Sequence, residues 1–215
     1  MLDIKELFPI PVCIAENENI DPIEHNTLLD IEYKLEHPSQ SSGPQILSST
    51  SKYVLDDNDV PNTRKFIEDT LKEYAIRTLN TEEPLKILNS WCFKQQQHMP
   101  QGLTEHRHPN SIISFAYYIQ ASNNSAGLTL YKERGFGTSY VMWDSDPDLM
   151  HKNNDNWSWE WQTIAAATGR LILFPSWMRH SINGAPDVAT RCALSGNTWF
   201  VNPIGNKDNL TYLKL

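Results

Sequence analysis

From Leu85 onward the chain is built of short β-like runs: Leu85-Trp91, Ile112-Gln120, Leu128-Tyr131, Ser139-Trp143, Trp157-Ile164, Arg170-Phe174 and Ala189-Val201. Turn-forming pairs separate or interrupt them, namely Ala126-Gly127, Thr168-Gly169, Asn183-Gly184 and Ser195-Gly196. Many short strands joined by Gly and Asn turns favour a sandwich or a barrel, and this number of strands fits a jelly roll. No repeat of 20–50 residues is present. The polar, Asp- and Asn-rich piece from Asp144 to Asn156 reads as a loop at the barrel mouth.

Before Leu85 the pattern changes. Residues 1–15 read as an extended lead-in, with Leu7, Ile10, Val12 and Ile14 alternating around Pro9 and Pro11. Residues 21–36 read as a helix capped by Asp21, with Pro22 at its first position and Glu24 as a capping-box acid. Ser39 to Ser51 reads as a loop. Pro61-Asn62-Thr63 opens a second helix reaching Leu79, with Phe66, Ile67, Leu71, Tyr74 and Ala75 on one face. The expected organisation is a lead-in and helices over residues 1–84 packed on a β core over residues 85–215, one structural domain overall. At 215 residues such a chain can bury a sizeable core.

Composition narrows the partners. A net charge of -8, with no Lys/Arg cluster to override it, argues against a nucleic-acid partner. No 18-residue apolar run is present and the first residues lack a hydrophobic leader, so neither a membrane span nor a signal peptide is expected. Three widely spaced cysteines, Cys13, Cys92 and Cys192, suggest neither a disulfide framework nor a CxxC zinc site, and point to a reducing cytoplasm.

The chemistry lies in His106-Arg107-His108-Pro109-Asn110-Ser111 and, much later, Phe174-Pro175-Ser176-Trp177-Met178-Arg179-His180. Imidazoles at i and i+2 of an extended segment share one face, because side chains alternate with period 2. A third imidazole arriving at the end of an apolar strand gives a three-ligand metal centre with open positions for substrate and O2. Arg191 follows in the otherwise uncharged strand Val-Ala-Thr-Arg-Cys-Ala-Leu, where a buried guanidinium implies an anion held beside the metal. Glu105 is the nearest carboxylate and is kept as a reserve ligand, although as the neighbour of His106 it points to the opposite face of a regular strand. His25, His37, His98 and His151 are read as ordinary hydrogen-bonding histidines. Trp157, Trp159 and Trp161 share one strand face, which fits core packing or, alternatively, a substrate-stacking platform.

Taken together, Trp91, His106-x-His108-Pro109-x-Ser111, Ser114-x-x-Tyr117-Tyr118, Leu173-Phe174-Pro175-Ser176-Trp177-x-x-His180 and Arg191-x-x-x-Ser195-x-Asn197 resemble an Fe(II)/2-oxoglutarate-dependent oxygenase of the kind found in marine bacteria and their phages. The resemblance implies a double-stranded β-helix, the cupin-like jelly roll. It implies Fe(II) on His106, His108 and His180, and 2-oxoglutarate chelating that iron with its far carboxylate on Arg191. Tyr118 and Ser114, four apart on one strand face, would assist Arg191, with Ser195 also on the co-substrate. Trp91, Asn197 and Trp159 would lie on the substrate side. The wider superfamily has a carboxylate where this chain has His108. An imidazole there leaves the metal its full 2+ charge and disfavours halogenation, whose catalysts vacate that position. The implied activity is a dioxygenase, most often hydroxylating, that consumes O2 and acts on a small molecule or peptide in the cytoplasm (of a host, if phage-encoded). A homodimer is left open. The competing reading is a cupin-like metalloprotein, an isomerase or sugar binder with a three-His metal site and no 2-oxoglutarate. A non-catalytic jelly-roll module is the third. Arg191 is the feature neither alternative needs.

Overall fold

The computed structural model describes residues 9–35, 47–96, 102–121, 127–132, 161–182 and 190–214. In chain order they form β1 (Cys13–Glu16), α1 (Pro22–Asp30), β2 (Tyr33–Leu35), β3 (Leu47–Ser49), α2 (Val54–Asp57), α3 (Pro61–Leu79), β4 (Leu85–Gln96), β5 (Ile113–Gln120), β6 (Leu128–Tyr131), β7 (Trp161–Ile164), β8 (Arg170–Pro175), β9 (His180–Ile182) and β10 (Thr190–Phe200). A seven-stranded sheet runs β1-β8-β5-β10-β4-β3-β2 and a three-stranded sheet runs β7-β6-β9. All strand pairings are antiparallel. The two sheets with helices on one outer face make the expected mainly-β jelly roll. No described helix is long and apolar enough to cross a membrane.

Strand alternation divides the large sheet into two unlike faces. Cys92, Phe115, Tyr117, Ile119, Leu171, Leu173, Cys192 and Leu194 pack with Leu28 of α1 and Ile67, Leu71, Tyr74 and Ala75 of α3 in one cluster. Burying each such aliphatic side chain stabilises the fold by about 1.5–3 kcal/mol. The intervening residues Tyr118, Ile172, Phe174 and Ala193 turn the other way and pack with Leu128 and Leu130 of the small sheet.

α3 matches its predicted bounds and apolar face, with Pro61 at its start and Asn80 closing it in the left-handed conformation. α1 is shorter than expected. It stops at Asp30, and Tyr33–Leu35 pairs with β3, so strand pairing claims residues whose apolar spacing suited a helix. Asp21 caps α1 as predicted, its carboxylate accepting from the Ile23 and Glu24 amides. Glu24 does not close a capping box. It is buried and accepts from the backbone N–H of Asn62 (2.8 Å) and Thr63 (2.7 Å) at the start of α3, whose own cap residue Val60 has no side chain to offer. One carboxylate therefore satisfies two orphan donors and the positive end of a different helix.

Three further readings are revised. Part of the Ser-rich loop is β3, and the lead-in contributes β1, which hydrogen-bonds along β8 from Cys13↔Leu173 to Glu16↔Arg170. Ser195-Gly196 is not a turn, since β10 runs straight through it. Gly196 is required by close approach, because a Cβ there would sit 2.4 Å from the Phe115 ring. Thr168-Gly169 is a true turn, with Gly169 at φ +84. The Ser139-Trp143 run, Asn183-Gly184 and the Asp144–Asn156 loop lie outside the described residues.

Candidate metal centre

His106 and His180 exchange both backbone hydrogen bonds, each N–H to the other's carbonyl at 2.9 Å. Such a directly opposed antiparallel pair places its side chains on the same face. His180 opens β9, whose other neighbour is Leu130 of β6. The His106–His108 segment is not a regular strand, only an isolated bridge, but the His108 N–H reaches the Ser176 carbonyl at 3.1 Å and keeps the segment extended. Pro109 and Asn110 then turn the chain into β5, with Asn110 at φ 56, a conformation Asn tolerates better than most. The three rings converge. Their centroids are 4.3 Å (His106–His180), 4.8 Å (His108–His180) and 5.2 Å (His106–His108) apart, and one nitrogen from each lies within 4.8 Å of the others.

The hydrogen-bond partners show that this cluster suits a metal. His106 Nδ1 lies 2.7 Å from the Thr104 carbonyl and His180 Nδ1 lies 3.0 Å from the Met178 carbonyl. His108 Nδ1 lies 2.7 Å from Asn197 Oδ1 and 2.9 Å from Ser114 Oγ. A carbonyl oxygen only accepts, so each Nδ1 carries a hydrogen, and Nε2 is the nitrogen left for a metal. Burial, reinforced by the neighbouring imidazoles, lowers His108 to about 4 and His180 to about 3, the latter despite the opposing Met178 carbonyl. Neutral rings with outward-anchored Nδ1 atoms are the donor set a divalent transition metal requires. Glu105, the reserve ligand, is ion-paired with Arg179 instead and is not part of the cluster.

Beyond the rings lies a cavity walled by Trp91, Phe93, Leu103, Ala116, Leu128 and Phe174, and reached by Arg191, Ala193 and Ser195. Its described lining contains no acidic residue. Arg191 is 3% exposed, its guanidinium lies 5.0 Å over the Tyr118 ring, and among the described residues neither Arg191 Nε nor the Tyr118 hydroxyl has a hydrogen-bond partner. A buried guanidinium and phenol left unsatisfied side by side are costly unless an anion completes them. A dicarboxylate spanning the metal and Arg191 would do so.

The other sequence candidates are placed as follows. Ser195 and Trp91 line the cavity, with the Trp91 ring 5.5 Å from that of His108. Ser114 shares a face of β5 with Tyr118 but does not serve Arg191, because its hydroxyl is engaged by His108, Ser176 and Asn197. Asn197 likewise stands against His108 rather than on the substrate side. Trp159 and Trp157 lie outside the described residues, as do His37, His98 and His151, and Trp161 is half exposed on β7. Sequence reasoning passed over Phe174, whose ring packs edge-on to His180 at 4.8 Å, and Ser176 and Ser111, which continue the hydrogen bonds behind His108. Both serines lay inside quoted motifs; nothing in their spacing marked them as hydrogen-bonded to one another.

A family profile described as "Putative 2OG-Fe(II) oxygenase" matches residues 89–197, half of the chain and every residue of the site. The chain belongs to this 2OG-Fe(II) oxygenase family. Its cofactors are therefore Fe(II) and 2-oxoglutarate, with O2 the usual co-substrate. None of the curated proteins matches the oxygenase in sequence. Solved structures share its fold at low identity. HygX from Streptomyces hygroscopicus, with nickel, 2-oxoglutarate and hygromycin B bound, is 10% identical with a TM-score of 0.55, over 89% of the oxygenase and 84% of HygX. The epimerase SnoN from nogalamycin biosynthesis, in complex with Fe3+, alpha ketoglutarate and nogalamycin RO, is 10% identical with a TM-score of 0.57, over 89% and 79% of the two chains. A Pseudomonas putida prolyl-4-hydroxylase is 10% identical with a TM-score of 0.53, over 90% and 94%.

Proposed function

We propose that this oxygenase is a mononuclear Fe(II)/2-oxoglutarate-dependent dioxygenase that hydroxylates a small molecule or peptide. His106, His108 and His180 would hold the iron, and Arg191 with the Tyr118 hydroxyl would hold the far carboxylate of 2-oxoglutarate. The observation that carries the reading is the pair of buried groups without a partner among the described residues, Arg191 Nε and Tyr118 OH, behind three clustered imidazoles. Bound iron would supply O2 activation, O2 being the four-electron oxidant, with two electrons from 2-oxoglutarate, which leaves as succinate and CO2, and two from the substrate. The protein's part is positional. Three anchored rings leave the remaining metal positions open to co-substrate and O2. The guanidinium and phenol fix which end of the dicarboxylate faces the metal. Leu128, Phe174, Ala116 and Ala193 keep water from the chain between. Ligands named with the fold neighbours, hygromycin B and nogalamycin RO, support a small-molecule substrate, and the prolyl-4-hydroxylase supports a peptide.

The test is anaerobic addition of Fe(II) and then 2-oxoglutarate. A weak charge-transfer band in the visible and saturable calorimetric binding are expected. Iron-loaded protein that shows neither would remove the oxygenase reading and leave the cupin-like one.

A further inference from the structure

Behind His108 runs a chain of four polar side chains, two of them on β5 and β10. Ser111 Oγ lies 2.7 Å from Ser176 Oγ, Ser176 lies 2.8 Å from Ser114 Oγ, and Ser114 lies 2.9 Å from Asn197 Oδ1. Asn197 Oδ1 ends the chain 2.7 Å from His108 Nδ1. Ser114, on β5, and Asn197, on β10, are cross-strand partners, so the sheet itself holds the two together. Ser114 and Ser176 are fully buried, and Ser111 is anchored to the Thr198 backbone N–H at 3.2 Å.

We infer that Asn197, seated by Ser114, is the positioning residue that fixes the tautomer and ring orientation of the third imidazole. The proposal deepens the function above, since it treats His108 as a ligand. Hydrogen-bond arithmetic gives the direction. Ser114 Oγ has one hydrogen to give, to Ser176 Oγ or to Asn197 Oδ1, and the amide oxygen of Asn197 takes the hydrogen of His108 Nδ1. Turning the amide over would aim N–H groups at Nδ1 and leave the hydrogen on Nε2, a ring with no lone pair for a metal. His106 and His180 need no such device, because each is held by a backbone carbonyl two residues before it in sequence. His108 has no such carbonyl among its contacts. Its partners are side chains, Asn197 Oδ1 at 2.7 Å and Ser114 Oγ at 2.9 Å, and the nearer hold can be removed by a single substitution.

The experiment uses the full chain, labelled with 15N-histidine, metal-free, and read by long-range 1H–15N correlation, alongside anaerobic Fe(II) titration and thermal melts. In the wild type, His108 is expected as the Nδ1–H tautomer. In Asn197→Leu it becomes a mixture, and Fe(II) affinity falls roughly 10- to 100-fold, the usual cost of losing an outer partner of a metal-bound histidine. Asn197→Asp, which keeps the acceptor, restores affinity to within about threefold of wild type on the same scale. An Nε2–H tautomer in the wild type overturns the proposal without any variant having to fold. So does Asn197→Leu that keeps both the Nδ1–H tautomer and full affinity, or Asn197→Asp that binds iron no better than Asn197→Leu. His108→Ala separates the two levels of inference. Unchanged iron affinity there would refute the ligand assignment, while the tautomer spectra would still decide what Asn197 does to the ring.

Discussion

The two faces of the large sheet are made from the same strands yet follow opposite rules. Cys92, Tyr117, Cys192 and Leu194 point at the helices into a dry cluster. Their immediate neighbours Trp91, Tyr118, Arg191 and Ser195 point into the cavity or its wall, where Arg191 Nε and a phenol have no partner among the described residues. The contrast is sharpest at Tyr117 and Tyr118. The Tyr117 hydroxyl accepts from Asn17 Nδ2 at 3.3 Å, whereas the Tyr118 hydroxyl has no partner among the described residues although its ring is fully buried. One face is completed by the fold. The other leaves Arg191 Nε and the Tyr118 hydroxyl without a partner among the described residues, and a step of one residue along the strand separates the two.

The largest expected effect of breaking this division lies on the helix face. Leu194→Ala should cost about 2–5 kcal/mol of stability, read by denaturant unfolding, with little change in iron affinity of the folded fraction. His180→Ala should do the reverse, losing most iron affinity with metal-free stability near wild type. A large loss of metal-free stability in His180→Ala would mean that the site face, too, is held by packing alone.

Next in size is Arg191→Leu, which should spare iron but weaken 2-oxoglutarate by about 2–3 kcal/mol, roughly 30- to 150-fold, because it removes one partner of a desolvated, charge-assisted pair. Pyruvate, which lacks the far carboxylate, should lose much less in paired anaerobic titrations. Equal losses for both ligands would place Arg191 with the fold or the metal.

Acid should discriminate between the faces as well. His108 and His180 stay neutral in the folded protein until about 4 and about 3, mainly through burial, whereas the unfolded chain takes up protons near 6.5. Between these values the unfolded state binds more protons, so their contribution to stability, full above 6.5, declines as pH falls. Thermal melts of metal-free protein should therefore drop across this window, and a His108→Ala/His180→Ala variant should show a flatter profile. Fe(II) should shift the decline to lower pH, since metal and proton compete for the same lone pairs.

The smallest effect compares the adjacent tyrosines. Tyr118→Phe should weaken 2-oxoglutarate by about 0.5–1.5 kcal/mol, and Tyr117→Phe should leave its affinity unchanged. Equal behaviour of the two variants would erase the distinction between the faces at this point.

How much of this was legible in the sequence depended on how local the cause is. The histidine cluster could be read because imidazoles at i and i+2 followed by a distant His after an apolar strand need no knowledge of pairing. Arg191 could be read because a lone charge in an apolar strand is conspicuous. α3 was legible from its proline start and regular stripe. What escaped was set by partners far along the chain. Glu24 has the spacing of a cap for its own helix, but the donors it serves are at Asn62 and Thr63. Ser114 has the spacing of a co-substrate residue, but register brings it to Asn197 and His108. Gly196 looks like a turn until Phe115 is packed against it.

The outermost pairing of the large sheet has a consequence for how the chain folds. β1, near residue 13, can form only once β8, near residue 173, exists to receive it. Non-local pairing of this kind slows folding, because the entropy of closing so long a loop is lost before any contact compensates it. During that interval β8, apolar on both faces, has an open edge on the side that β1 later covers. Such an edge can pair with another unfinished chain. The few residues from Cys13 to Glu16, locked by the Glu16–Arg170 ion pair at 2.7 Å, are thus the last stitch of the sheet and its guard against aggregation.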